Sequence, residues 1–179
     1  GDVYKRQAYT ATGLTNGIIY QFRVAAVNNL GTGPATAASS ATPRTVPNVP
    51  ATIASAPGDA EVVVSWTTPP FDGGSPIMDY TIQRSTDGLT WTTLADGVST
   101  GTATTVTGLV NGTTYQFRVA AVNVAGTGSN TSTTLAKPRT VPDAPDGLTP
   151  MSGAGQVGLV WTAPGFNGGS TITDYTIQH

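Results

Sequence analysis

The chain has 179 residues, a formal net charge of −2 and only 10% charged residues. That balance excludes a basic patch able to neutralise nucleic-acid phosphates, and it excludes a polybasic membrane anchor. There is no cysteine, which leans towards a bacterial or intracellular origin, and no apolar run is long enough to insert in a bilayer.

In chain order, Gly1–Gln7 comes first, and Lys5-Arg6 is followed by no apolar stretch of the kind a signal peptide needs. Tyr20–Asn28, YQFRVAAVN, alternates like a half-buried strand, and the same nine residues return as Tyr115–Asn123, a shift of 95. At this shift Thr12-Gly13-Leu14 falls on Thr107-Gly108-Leu109, and the PRTVP of Pro43–Pro47 falls on Pro138–Pro142. Trp66 falls on Trp161, Phe71 on Phe166, and Asp79–Gln83 on Asp174–Gln178, all without a gap. About half of the overlapped positions are identical, so the repeat sets the unit of folding. A unit of 95 residues can bury a core of its own. A tandem copy also weakens any catalytic reading, since active sites are rarely duplicated in this way. Gly1–Gln7 departs from the aligned DGVSTGT and reads as non-native sequence.

The one complete period opens on a stiff linker, Pro47–Pro50. A short edge strand is expected at Ala51–Ala54, followed by a turn at Pro57-Gly58-Asp59. Glu61–Thr67 alternates, with Val62, Val64 and Trp66 on one face. A Pro- and Gly-rich loop, Thr68–Pro76, leads to a strand at Asp79–Arg84 with Tyr80 and Ile82 inward. Asp87-Gly88 predicts a hairpin returning as Trp91–Leu94. Thr102–Thr107 is a Thr-rich strand. Leu109–Tyr115 turns a corner at Asn111-Gly112. Tyr115, Phe117, Val119 and Ala121 then point inward, with Gln116, Arg118 and Ala120 outward. Gly126-Thr127-Gly128 reverses the chain into a last strand at Thr131–Ala136. The helix period is missing throughout, so the chain reads as all-β, and seven short strands with regular turns predict a β-sandwich.

Trp66, Ile77, Tyr80, Leu109, Tyr115, Phe117, Val119, Ala121, Asn123, Gly126 and Gly128 together make this period resemble a fibronectin type III domain. The resemblance implies a tandem, immunoglobulin-like sandwich with seven strands per complete domain. Asn111 stands where the family often has proline, and Asn-Gly forms a turn equally well. The Tyr115 hydroxyl is expected to bond backbone across its corner. The expected core is Trp66, Tyr80, Leu109, Tyr115, Phe117 and Val119, with Trp161 and Tyr175 in the next unit.

The shift divides the chain into residues 1–43, the last three strands of one domain; 46–139, a complete domain; and 142–179, the first three strands of another. Both partial units expose apolar faces (Phe22, Val24, Ala26; Val157, Leu159, Trp161). Head-to-tail self-association of the chain is expected, one molecule's partial unit completing that of the next.

Candidate chemistry is thin. Gly153, Gly155 and Gly158 match the dinucleotide fingerprint G-x-G-x-x-G, but that motif must open a helix, whereas here it enters a strand. The single histidine, His179, is the last residue, so neither a nucleophilic triad nor a His/Cys metal cluster can be assembled. Asp72 and Asp79 flank one loop, yet the repeat turns the first into Asn167 and two carboxylates fall short of a calcium shell. No catalytic, cofactor or metal site is expected. Phe71, Trp91 and Phe166 are the candidates for ligand or interdomain contact, with packing over the sandwich end the plainer reading. Asn111-Gly-Thr and Asn130-Thr-Ser are glycosylation sequons, expected to be idle.

The expected function is therefore non-enzymatic: a spacer or interaction module in an extracellular or surface-located bacterial array. The expected partners are neighbouring fibronectin type III domains, other surface proteins or polysaccharide. The alternative is a carbohydrate-binding or adhesion module, or an accessory domain of a secreted glycoside hydrolase.

Overall fold

The computed structural model describes residues 8–178. Gly1–Gln7, read above as non-native, and the lone His179 lie outside the described residues.

The first unit carries β1 (Tyr20–Phe22), β2 (Val27–Asn28), β3 (Gly31–Thr32) and β4 (Ser39–Ala41). β1 pairs with β4 and β2 with β3, both antiparallel. Three strands were expected here. The structure forms two, each broken in its middle, and residues 8–12 join no strand. In the complete unit the equivalent strand, Ala103–Val106, is held by Val62–Trp66.

The complete unit holds β5 (Ile53–Pro57), β6 (Val62–Trp66), β7 (Asp79–Ser85), β8 (Thr92–Thr93), β9 (Ala103–Val106), β10 (Tyr115–Asn123), β11 (Gly126–Thr127) and β12 (Thr134–Ala136). One sheet runs β5-β6-β9. The other runs β8-β7-β10, with β11 and β12 both paired to β10. This is a sandwich of seven strand positions, the last split in two.

The split corrects the expected continuous strand at Thr131–Ala136. The Thr131 side chain intervenes: its Oγ1 accepts the Val119 N–H at 3.1 Å, while its own N–H donates to the Val119 carbonyl at 2.8 Å. A hydroxyl thus replaces one rung of the ladder. The first strand also lies later than expected, pairing Ile53 with Trp66 through to Pro57 with Val62. Buried Pro50 ends the linker, and Pro57 is tolerated at the tip of an edge strand.

The inward faces of the two sheets meet in one core. It comprises Val62, Val64 and Trp66 from β6; Tyr80 and Ile82 from β7; Tyr115, Phe117, Val119 and Ala121 from β10; and Val106, Leu109 and Ala136. The Trp66 and Tyr80 rings pack 5.3 Å apart, and burial pushes the Tyr80 phenol above its ordinary pKa. Each large apolar side chain buried here contributes about 1.5–3 kcal/mol. Ala120, expected outward, is buried as well: its methyl lies in the middle of a strand flanked on both sides.

In the third unit β13 (Asp146–Gly153) and β14 (Gln156–Thr162) form a hairpin. The expected third strand, Asp174–Gln178, joins no ladder. In the complete unit the equivalent β7 is held along its whole length by β10. Trp161 and Tyr175, expected as core, consequently remain half-buried, packed edge to face at 5.4 Å. Phe22, Val24, Val157 and Leu159 are exposed.

Candidate functional site at the joints between domains

The loop between β6 and β7 contains Phe71-Asp72-Gly73-Gly74. Asp72 Oδ1 accepts the Gly74 N–H at 2.8 Å, closing an Asx turn. Gly73 and Gly74 both take positive φ, 82° and 81°, which suits glycine and few other residues. The tight turn brings bare backbone against the preceding linker and domain. A Cβ on Gly73 would overlap the Thr45 carbonyl and lie 2.8 Å from that of Val46; one on Gly74 would lie 2.7 Å from the Gly17 Cα. Three backbone bonds seal the contact: Gly17 N–H to the Pro43 carbonyl at 2.9 Å, Thr45 N–H to Gly73 at 2.9 Å, and Asn48 N–H to Phe71 at 3.0 Å. The Phe71 ring covers Gly17.

The same joint recurs 95 residues on. Gly112 N–H donates to Pro138 at 2.8 Å, Thr140 to Gly168 at 2.8 Å, and Asp143 to Phe166 at 3.1 Å. Phe166 lies over Gly112 as Phe71 lies over Gly17. Asn167 Oδ1 accepts the Gly169 N–H at 3.0 Å, taking the place of Asp72. An acceptor oxygen is all the turn requires, so the change from carboxylate to amide costs it nothing.

Two asparagines tie the linkers down, and neither was singled out as a site in the sequence. Asn123, buried at the end of β10, donates through Nδ2 to the Thr45 carbonyl at 2.8 Å and the Asp72 carbonyl at 2.7 Å. Its Oδ1 accepts the Ala125 N–H at 2.8 Å. Its copy Asn28 is exposed and accepts only from Leu30 and Gly31. The one signal available was that YQFRVAAVN ends in asparagine in both repeats. At the other pole Asn111 accepts the Ala60 N–H at 2.9 Å and donates to Asp59 at 2.7 Å. Asp59 in turn accepts from Thr140 Oγ1 at 3.0 Å, binding the outgoing linker. Asn111 is thus more than a turn former, and its amide nitrogen is committed within the joint. The Tyr115 hydroxyl accepts the Val110 N–H at 3.1 Å, and Tyr20 repeats this on Thr15 at 3.0 Å.

The remaining candidates disperse. Trp91 lies under the Arg118 guanidinium at 4.0 Å, and Arg118 is held by Gln83 at 2.7 Å. Phe71 precedes β7 and Trp91 follows it, so the two lie towards opposite ends of that strand and make no aromatic row. Asp79 accepts the Ser99 N–H at 3.0 Å, away from the Asx turn of Asp72. Ala154-Gly155 is the turn of the β13–β14 hairpin, so the glycine fingerprint opens no helix. Among the described residues no group of three or more His, Cys, Asp or Glu gathers, and no helix is long and apolar enough to cross a membrane.

Known proteins resemble this chain in sequence and fold. Human myomesin-2 is 31% identical across 95% of this chain, which spans 12% of that protein. A Kelch domain-containing protein of Saccharolobus solfataricus is 30% identical across 68% of the chain, which spans 16% of it. A crystal structure of consecutive titin domains superposes with a TM-score of 0.50 and 26% identity, covering 62% of this chain and 37% of that one. The chain therefore spans less than a fifth of the two full-length relatives. Its fold is the all-β sandwich of these modules, and such modules are usually non-catalytic. The model of the fibronectin type III domain matches residues 47–137, and the chain belongs to that family.

Proposed function

We propose that the chain is a spacer segment of a tandem array whose working part is the joint between domains. One observation carries this reading: the contacts of Gly17, Thr45 and Phe71 with their neighbours are reproduced, bond for bond, by Gly112, Thr140 and Phe166. A surface selected to bind an outside ligand has no need of this internal copy, whereas a load- or distance-bearing array does. The array's place at a cell surface or outside the cell, in a bacterium, belongs to the same proposal. The cysteine-free composition supports only the bacterial origin, and resemblance to domains of secreted bacterial proteins supports the place outside the cell; the relatives named above are animal and archaeal. Small-angle scattering on tandem copies of residues 46–139 tests the spacer reading. The maximum dimension is expected to grow by a constant increment per copy, and irregular growth or collapse would count against it. Specific binding of the chain on a glycan array would put adhesion ahead.

A further inference from the structure

We infer that the exit pole of each domain is a receptor for the Phe-(Asp/Asn)-Gly-Gly loop of the next domain, so that neighbours are clamped in one orientation instead of hinged. This rests on the array reading above and adds to it the partner of the surface and the rigidity of the joint.

Three observations carry the inference. First, burial at the joint does not come from the loop's own domain. β13 and β14 are almost wholly exposed, yet Gly168 and Gly169 are buried. What buries them is the Thr140-Val141 linker and the Gly112 turn of the preceding domain. Second, the receptor is backbone presented in a fixed shape. The Thr140 N–H meets the Gly168 carbonyl, and the Gly112 turn leaves no room for a side chain on Gly169. Third, the receptor is braced from behind: Arg139 N–H donates to the Gly58 carbonyl at 2.9 Å, and Asp59 holds Thr140 Oγ1. A linker bonded on both sides has lost the freedom a hinge requires.

Around the loop the two copies differ freely, Thr68 against Ala163 and Pro70 against Gly165. The contacting Phe, Gly-Gly, Asn-Gly and Pro-Arg-Thr-Val-Pro residues are the same in both. A head-to-tail contact repeated by one operator builds an open helical string of constant pitch.

Amide hydrogen exchange followed by NMR on the whole chain tests the clamp. The Thr45 and Thr140 amides are expected to exchange on the order of a hundredfold more slowly than an open linker amide. Gly169→Val is expected to release Thr140 while Thr45 and the core amides of Ile82 and Val119 stay protected. Gly74→Val is expected to do the converse, releasing Thr45 and sparing Thr140. Free exchange of both linker amides in the unaltered chain, beside a protected core, overturns the clamp but leaves a flexible spacer standing. Retained protection of Thr140 in Gly169→Val overturns the glycine loop as the clamped element.

Discussion

Asn123 and Thr45 are joined across the domain boundary: the asparagine Nδ2 donates to the threonine carbonyl at 2.8 Å. The same nitrogen reaches Asp72, so one buried side chain holds the incoming linker and the Gly-Gly loop together. Asn123→Ala leaves two carbonyls without this donor. Each lost bond costs about 0.5–1.5 kcal/mol net, and more where the orphaned group stays buried. The expected loss is about 1–3 kcal/mol, seen as a fall in melting temperature of about 4–8 °C per kcal/mol. The Thr45 amide is expected to lose exchange protection in the same variant. An unchanged melting temperature would show that Asn123 serves only its local turn, as Asn28 does.

Tyr115 anchors the corner that carries the receptor. Its ring packs in the core and its hydroxyl accepts the Val110 N–H. Tyr115→Phe keeps the ring and removes the acceptor. The expected cost is about 1–3 kcal/mol, the penalty for an unmade bond at a partly buried N–H. Urea unfolding should show a lower midpoint with an unchanged slope, because the surface exposed on unfolding is the same. A midpoint equal to that of the unaltered chain would mean that water replaces the hydroxyl without loss.

The core could be read from the sequence because alternation is a property of single strands. The phases of Val62–Trp66 and Tyr115–Ala121 need only a period of two. The ladder breaks could not. Thr131 looks like a strand residue, and nothing local shows that its hydroxyl will displace a backbone rung. Asp174–Gln178 has the right pattern for a strand but joins no ladder, because pairing is non-local and not carried by the pattern itself. The joint was hidden for another reason. Gly73-Gly74 reads as a slack loop, and the change from Asp72 to Asn167 reads as loss of a function. Only the geometry shows that the shared property is an acceptor oxygen.

The Asp87 hairpin predicts an acid dependence. Asp87 Oδ1 accepts the Thr90 and Leu89 N–H groups, each at 2.8 Å, and the Ser85 hydroxyl at 2.8 Å. The bonds from the Thr90 backbone, then Leu89, then Ser85 hold its carboxyl well below the usual carboxylate range. A folded pKa below the unfolded value means the stabilisation is fully present above the unfolded value, about 3.9, and is lost as pH falls through the folded one. Asp87→Asn keeps the acceptor but not the charge. The gap in urea midpoint between the unaltered chain and this variant is expected to be widest at neutral pH and to begin narrowing only below about pH 4, as pH falls towards the lowered folded value. A gap that stays constant down to the acid limit would rule out charge as the cause.

Ala60 occupies a position the fold would give to glycine. Its φ of +53° lies in the left-handed region, in the turn where the Gly58 N–H meets the Glu61 carbonyl at 2.8 Å. The equivalent residue in the third unit is Gly155, with φ of +70°. A residue with a Cβ is disfavoured there by about 1–2 kcal/mol. Introducing glycine also loosens the unfolded chain, at a cost of about 0.4–1 kcal/mol. The strain is the larger of the two, so Ala60→Gly is expected to stabilise the complete unit by about 0.5–1 kcal/mol. The bond from the Ala60 N–H to Asn111 involves backbone only on the Ala60 side and is kept. A higher urea midpoint checks this, and a lower one would mean that the Ala60 methyl makes a contact worth more than the strain it imposes.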